Sequence, residues 1–336
     1  MRADLSGQIR ELMEHGVRPV TVADIEARPP VRVTLLQRAA ARSWLGHHRI
    51  MLAGAAVAAV SLAAATVIGV TYQGDHPVPP ASKAAIQLLA RVADAAARQP
   101  APRVRDSQYM YVETKQASWL SPGQVLKPLT NGSFPRHPRL KKPIASQTWV
   151  PVADVCRAGL ERTTAPNGQA SGAPFSAQGP GVKCPSIGSL NDATYRLLQT
   201  LPTDPRALLN LIYRTERGHG SGPAQEAFVT IGDLFNGKIP PPRVAAALYR
   251  AAALIPGVTL VPDAIDAIGR HGVAVAQHVS GIPGGIISEM IFSKTTLRLI
   301  GSRTIEARTG ASTSATAIIS QAFASHLGQV PEASRT

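Results

Sequence analysis

Of 336 residues only two are cysteines and only 4% are aromatic. The cysteines, Cys156 and Cys184, form no CxxC pair and have no histidine pair nearby, so they make a poor zinc site. No GxSxG elbow, no SxxK and no HExxH appears, so the common nucleophile and zinc-hydrolase signatures are missing. No GxxxxGK[ST] loop or GxGxxG turn appears either, which leaves a nucleotide site and any cofactor unsupported. No Lys/Arg run is interleaved with aromatics in the manner of a single-strand groove, and no nucleic acid is expected as a partner. Acidic residues are the minority: 21 against 35 basic ones, a net charge of +14.

What the chain does have is one long uncharged run. Ile50 to Tyr72 reads IMLAGAAVAAVSLAAATVIGVTY, 23 residues without a charge. At 1.5 Å per residue it makes roughly 34 Å of helix, against a hydrocarbon core of about 30 Å. Arg28, Arg32, Arg38, Arg42 and Arg49 precede it, whereas Gln73, Gly74, Asp75 and His76 follow, and the next Lys is Lys83. The positive-inside rule therefore predicts a single-pass protein of the cell membrane, with a cytoplasmic N-terminus and an extracytoplasmic C-terminal part. A cleaved signal is excluded by the 49 residues ahead of the run and by the run's length. The span has no GxxxG pair, since Gly54 and Gly69 are too far apart.

The predicted organisation is a tail over 1–49, a transmembrane helix over 50–72, a spacer and helix over 73–106, and an α+β domain over 107–336. In the tail, Leu5, Ile9, Leu12 and Met13 recur at helical spacing. Thr21 and Asp24 start a second short helix that Pro29 and Pro30 end. The tail is too small for its own core but suits docking on a cytoplasmic regulatory protein as a helix in a groove. The outer part carries +11 and is long enough for one large domain or two small ones.

Beyond the spacer, Ser82 caps a predicted helix over Lys83–Arg98. Strands are predicted over 108–115 and 146–152, from aromatic and β-branched alternation. The stretch 157–189 is dense in Gly, Pro, Ser and Thr and reads as a long surface loop. Asp204 and Pro205 are the cap and first position of a helix carrying Leu208, Leu209, Leu211 and Ile212. Two more helices follow, one over 224–235 and one that Pro240 to Pro242 begin and that runs through Leu254. The period then switches to 2, predicting strands at 259–261, 272–279, 286–292, 296–306 and 314–323. Short connections make them antiparallel neighbours. The fold class is α+β: an antiparallel sheet with a helical insertion.

Candidate chemistry is sparse. In the oxidising outer compartment, Cys156 and Cys184 are candidates for a disulfide closing about 29 residues, worth roughly 3 kcal/mol. Two thiols are the second reading and a metal pair the third. His219 sits in a Gly/Ser/Pro loop, and His271 and His278 read as surface or hairpin histidines. Asp263 and Asp266 lie at a turn, where Asp is expected anyway. Glu113, and Glu289 inside IISEMI, are the most interesting acids; both read as exposed strand residues before they read as a glycosidase-type pair. No catalytic motif is present, and the expectation is that the protein is not an enzyme.

Several long stretches follow one another in an order of their own: SQYMYVETK (107–115), TWVP (148–151), LPTDPRALL (201–209), AALYRAAALIPGVTL (246–260) and GRHGVAVA (269–276). With the basic tail and single span, this order resembles a large actinobacterial family of uncharacterised single-pass membrane proteins, often encoded beside an extracytoplasmic-function sigma factor. The resemblance covers roughly 80–336. It implies a role in envelope sensing or accessory regulation linked to sigma-factor signalling. It also implies an outer part similar to the half-open barrels that bind lipid or lipoprotein, and no catalytic residue carries over. The tail has no cysteine, unlike that of a zinc-containing anti-sigma factor. The expected partners are the lipid bilayer, a cytoplasmic regulatory protein through residues 1–49, and an apolar or cell-wall ligand outside. An envelope binding or carrier domain without signalling is the second expectation, and an envelope hydrolase a remote third.

Overall fold

The computed structural model describes residues 78–332 apart from 120–139, 155, 176–189, 191–192, 217–221 and 280–284. The tail over 1–49, the span over 50–72, His219 and Cys184 lie outside the described residues. Among the described residues no helix is long and apolar enough to cross a membrane.

The first described element is helix α1 (Lys83–Ala97), capped by Ser82, whose Oγ accepts from Ala85 N at 3.2 Å. Its buried stripe is Ala85, Leu88, Leu89, Val92 and Ala93, at the i, i+3, i+4 spacing of an amphipathic helix. Strands β1 (Tyr109–Ser118), β2 (Ile144–Pro151), β3 (Gly159–Thr164) and β4 (Ala170–Phe175) follow as an antiparallel series. The helical insertion comprises α2 (Tyr195–Thr200), α3 (Pro205–Thr215), α4 (Pro223–Gly237) and α5 (Pro242–Ala252). Asp204 caps α3 by accepting from Ala207 N at 2.8 Å, and Pro205 occupies the first turn. A second series closes the chain: β5 (Val258–Ile265), β6 (His271–Val279), β7 (Ile286–Phe292), β8 (Leu299–Glu306) and β9 (Ala311–Ala324).

The nine described strands form one open antiparallel sheet in the order β4-β3-β2-β1-β9-β8-β7-β6-β5. The two series meet where β1 pairs with β9, the longest strand, so the insertion does not interrupt the sheet. The core lies between the helices and one sheet face, where Met110, Val150, Val275, Met290, Phe292 and Ile318 meet Leu89, Leu208, Ile231 and Leu248. Helix α1 shares this core, packing on α5 and tied to β5 by Ser82 N donating to Val258 O. The other face buries two smaller clusters, around Tyr111 and Trp149 and around Ala274 and Ile291.

The stretch read as a loop over 157–189 contains the hairpin β3–β4, turning at Asn167-Gly168. Gly168 has φ +84°, and Asn167 Oδ1 accepts from Gln169 N. The hairpin extends the sheet at its edge, so it needs little apolar content, and its Thr, Ser and Pro content hid it. A six-residue helix, α2, was also not foreseen; Thr194 caps it and Tyr195, Leu197 and Leu198 bury it. The strand expected from 296 begins at Leu299, because Ser293 to Arg298 form a turn closed by Leu297 N donating to Ser293 O.

Candidate functional site

The helices do not fill the space above the sheet completely. A cavity of about 370 Å³ opens between the C-terminal half of α1, the start of α5 and the ends of β8 and β9. Val92, Ala245, Tyr249, Leu299, Ile318 and Phe323 line it. The exposed residues Gln99, Thr296 and Arg298 mark its mouth. Its aromatic wall is fixed by stacking: Phe235 lies on Tyr249 at 4.3 Å, and Tyr249 meets Phe292 edge-on at 5.6 Å. Burial pushes the Tyr249 hydroxyl far above its ordinary value, so it stays un-ionised in the cavity wall.

Two local devices shape the mouth. Gln321 donates from Nε2 to Phe235 O at 2.7 Å and to Lys238 O at 3.0 Å, which satisfies carbonyls that the end of α4 leaves over. Leu297 has φ +57°, the sole described non-glycine residue in the left-handed region. That conformation costs about 1–2 kcal/mol for a side chain with a Cβ. The β7–β8 turn holds it there through Ser293, whose Oγ accepts from Thr295 N and Thr296 N. The result places the half-buried Leu297 side chain over the apolar core at the cavity edge.

The acids singled out from sequence go elsewhere. Glu113 accepts a hydrogen bond from Tyr111 Oη at 2.7 Å, and Gln147 Nε2 donates to the same hydroxyl at 3.0 Å. Glu289 is not an exposed strand residue: it is 4% exposed and paired with Arg303 across β7 and β8 at 2.8 Å. Burial raises its carboxyl, and Arg303 pulls it back. The alternation of β7 turns Met290 to the helices and Glu289 to the opposite face beside the buried Ile291. Two strands, β9 and β8, stand between Glu113 and Glu289, which places their backbones about 14 Å apart across the sheet. Paired glycosidase carboxyls lie within about 5–9.5 Å of each other. The sheet does not bring these two together.

The turn acids have structural partners. Asp266 is buried and accepts from Ile268 N, Arg270 N and Arg270 Nε, the last at 2.6 Å. Arg270 then donates from Nη2 to Ile300 O and Ile318 O, pinning the β5–β6 corner onto the centre of the sheet. Asp263 is exposed between Lys294 and His271, and their hydrogen bonds hold its carboxyl below the ordinary range. His271 and His278 are both exposed. Cys156 is disulfide-bonded. Among the described residues no three His, Cys, Asp or Glu side chains converge as a metal set.

Sequence reasoning missed the cavity residues. They come from α1, α5 and two strands distant in the chain, and each reads locally as an ordinary core residue. One missed polar signal was available: Asp233 within the otherwise apolar FVTIGDLF of α4. No family model, no curated protein and no solved structure matches this chain.

Proposed function

We propose that the sheet-and-helix domain binds the apolar portion of a membrane or envelope amphiphile, and that it is a binding module, not an enzyme. The carrying observation is the 370 Å³ cavity walled by aliphatic and aromatic side chains and open beside Arg298. That volume lies in the range of about 300–1,000 Å³ typical of small-molecule sites. An antiparallel sheet with helices over one face suits the half-open-barrel reading, and the apolar space lies between those two layers.

With residues 50–72 as a membrane anchor, the cavity would stand at the outer leaflet of the cell membrane, where such ligands are delivered. The protein then serves as an envelope sensor or accessory regulator in sigma-factor signalling, its tail over 1–49 touching the cytoplasmic regulatory partner. The second reading, a binding or carrier domain without signalling, is favoured by the cavity alone. Replacing residues 1–40 by an unrelated basic sequence separates the two: lost regulation supports the sensor and unchanged regulation supports the carrier. The binding step itself is tested with a fluorescent hexadecanoyl probe added to the full chain in nanodiscs. Ala245→Trp, which fills the cavity wall, abolishes saturable binding if the reading is right; undiminished binding by that variant overturns it.

A further inference from the structure

A second cavity, of about 120 Å³, lies farther along β8 and β9 under α4. Its lining mixes hydroxyls and carboxylates with Phe228, Val229 and Met290. On β9, Ile318 borders the apolar cavity while Thr316, two residues and about 7 Å away, borders this one. Ser302, Thr304 and Ser314 extend the hydroxyl-lined floor, and Asp233 and Asn236 face it from α4. Asn236 donates from Nδ2 to Ser302 Oγ at 3.0 Å. Its Oδ1 is buried and has no hydrogen-bond partner among the described residues. A buried amide oxygen left without a donor is destabilising, so something that donates fits there.

The charged groups around this cavity decide which donor. Glu289 and Arg303 border it from β7 and β8 but are committed to each other, and strand alternation turns them to the other face. Burial raises the carboxyls of both Asp233 and Glu226, and Glu216, at the end of α3, adds to both. The donors in the lining are already engaged, Arg303 by Glu289 and Gln116 by Thr114 Oγ1, so Asp233 stands in an acidic field beside the strand hydroxyls. A phosphate or carboxylate is repelled, and a neutral apolar group leaves Asn236 Oδ1 unsatisfied.

We propose that this cavity is a subsite for a small primary ammonium group, held between the Asp233 carboxylate and Asn236 Oδ1, with the strand hydroxyls accepting its remaining N–H. The site stands independently of acyl binding in the larger cavity. An amphiphile carrying an amine would span both, because the same face of the same two strands floors each.

The test uses the full chain in nanodiscs and four short probes that are too small to fill the apolar cavity: propylamine, propanol, propionate and tetramethylammonium. Propylamine is expected to raise the melting midpoint saturably, and the other three are not, since tetramethylammonium has the charge without the N–H. Affinity for propylamine is expected to rise on the order of tenfold from pH 6 to pH 8 as Asp233 ionises with a value of about 7. Asp233→Asn should weaken it at least tenfold, and Asn236→Leu several-fold. Ala245→Trp should leave the response unchanged. A response to tetramethylammonium equal to that of propylamine, or an Asp233→Asn variant that binds as well as the parent, overturns the proposal.

Discussion

Asp233→Asn tests the electrostatics of α4 most sharply. Burial, with Glu216 adding to it, pushes the Asp233 carboxyl from 3.8 up to about 7. The folded state thus keeps the proton to higher pH than the unfolded chain does. Each tenfold gain in proton affinity is worth about 1.4 kcal/mol, so a gain of roughly a thousandfold sets an upper bound of about 4 kcal/mol. Asp233 is half-buried in accessible surface, and solvent reduces the figure to about 2–4 kcal/mol. The sign follows from proton linkage: below about pH 4 both states are protonated and nothing is lost. Between about pH 4 and pH 7 the unfolded chain releases its proton first, and stability declines. Above pH 7 the penalty is complete. Glu226, raised to about 8 by burial and by Glu216, acts in the same direction and extends the decline. Asn cannot titrate, so the variant should melt like the parent at pH 4 and be more stable by about 2–4 kcal/mol at pH 8. Circular dichroism melts at the two pH values read this directly. A variant whose offset from the parent is the same at both would refute a raised Asp233.

Other substitutions probe the frame that holds the cavities. Asp266→Ala removes the acceptor for two backbone amides and for Arg270, leaving a half-buried guanidinium; a loss of about 3–5 kcal/mol in urea unfolding is expected. Gly301→Ala would drive a Cβ into Thr316 O on the paired strand, far inside contact distance. That backbone has no room to shift without breaking the β8–β9 ladder, so the variant should fail to give a cooperative melt. Leu297→Gly relieves about 1–2 kcal/mol of left-handed strain while losing a similar amount of side-chain packing. Its melting midpoint should therefore move little, whereas release of an acyl probe, followed by stopped-flow fluorescence, should quicken.

Much of the fold was legible because local signals agreed with tertiary need. Ser82, and Asp204 with Pro205, are cap chemistry that works whatever packs above it, and both helices start where those residues place them. The switch to period 2 after Gly257 marked the second strand series, since each of those strands has one face to bury. The β3–β4 hairpin was not legible, because an edge strand such as Ala170–Phe175 needs no apolar alternation to hold its place. Glu289 was misread because alternation gives a face and not what covers it: the helix-free side of β7 also buries Ile291. The cavities were illegible for a related reason. A cavity is where core residues fail to meet, and nothing in Val92, Ala245 or Ile318 taken singly says what lies beyond its methyl groups. Asp233, an acid within the apolar run of α4, was a sign of polar space that the sequence reading passed over.

Whether the space between α1, α5 and the β8–β9 ends holds an acyl chain is measured most directly by photolabelling. The full chain in nanodiscs is irradiated with a diazirine-bearing hexadecanoate, and the labelled positions are read by peptide mapping. The predicted result is label on Val92, Ala245, Leu299 and Phe323, lost under competition by unlabelled hexadecanoate. Label confined to residues 50–72, with none on those four, would contradict it.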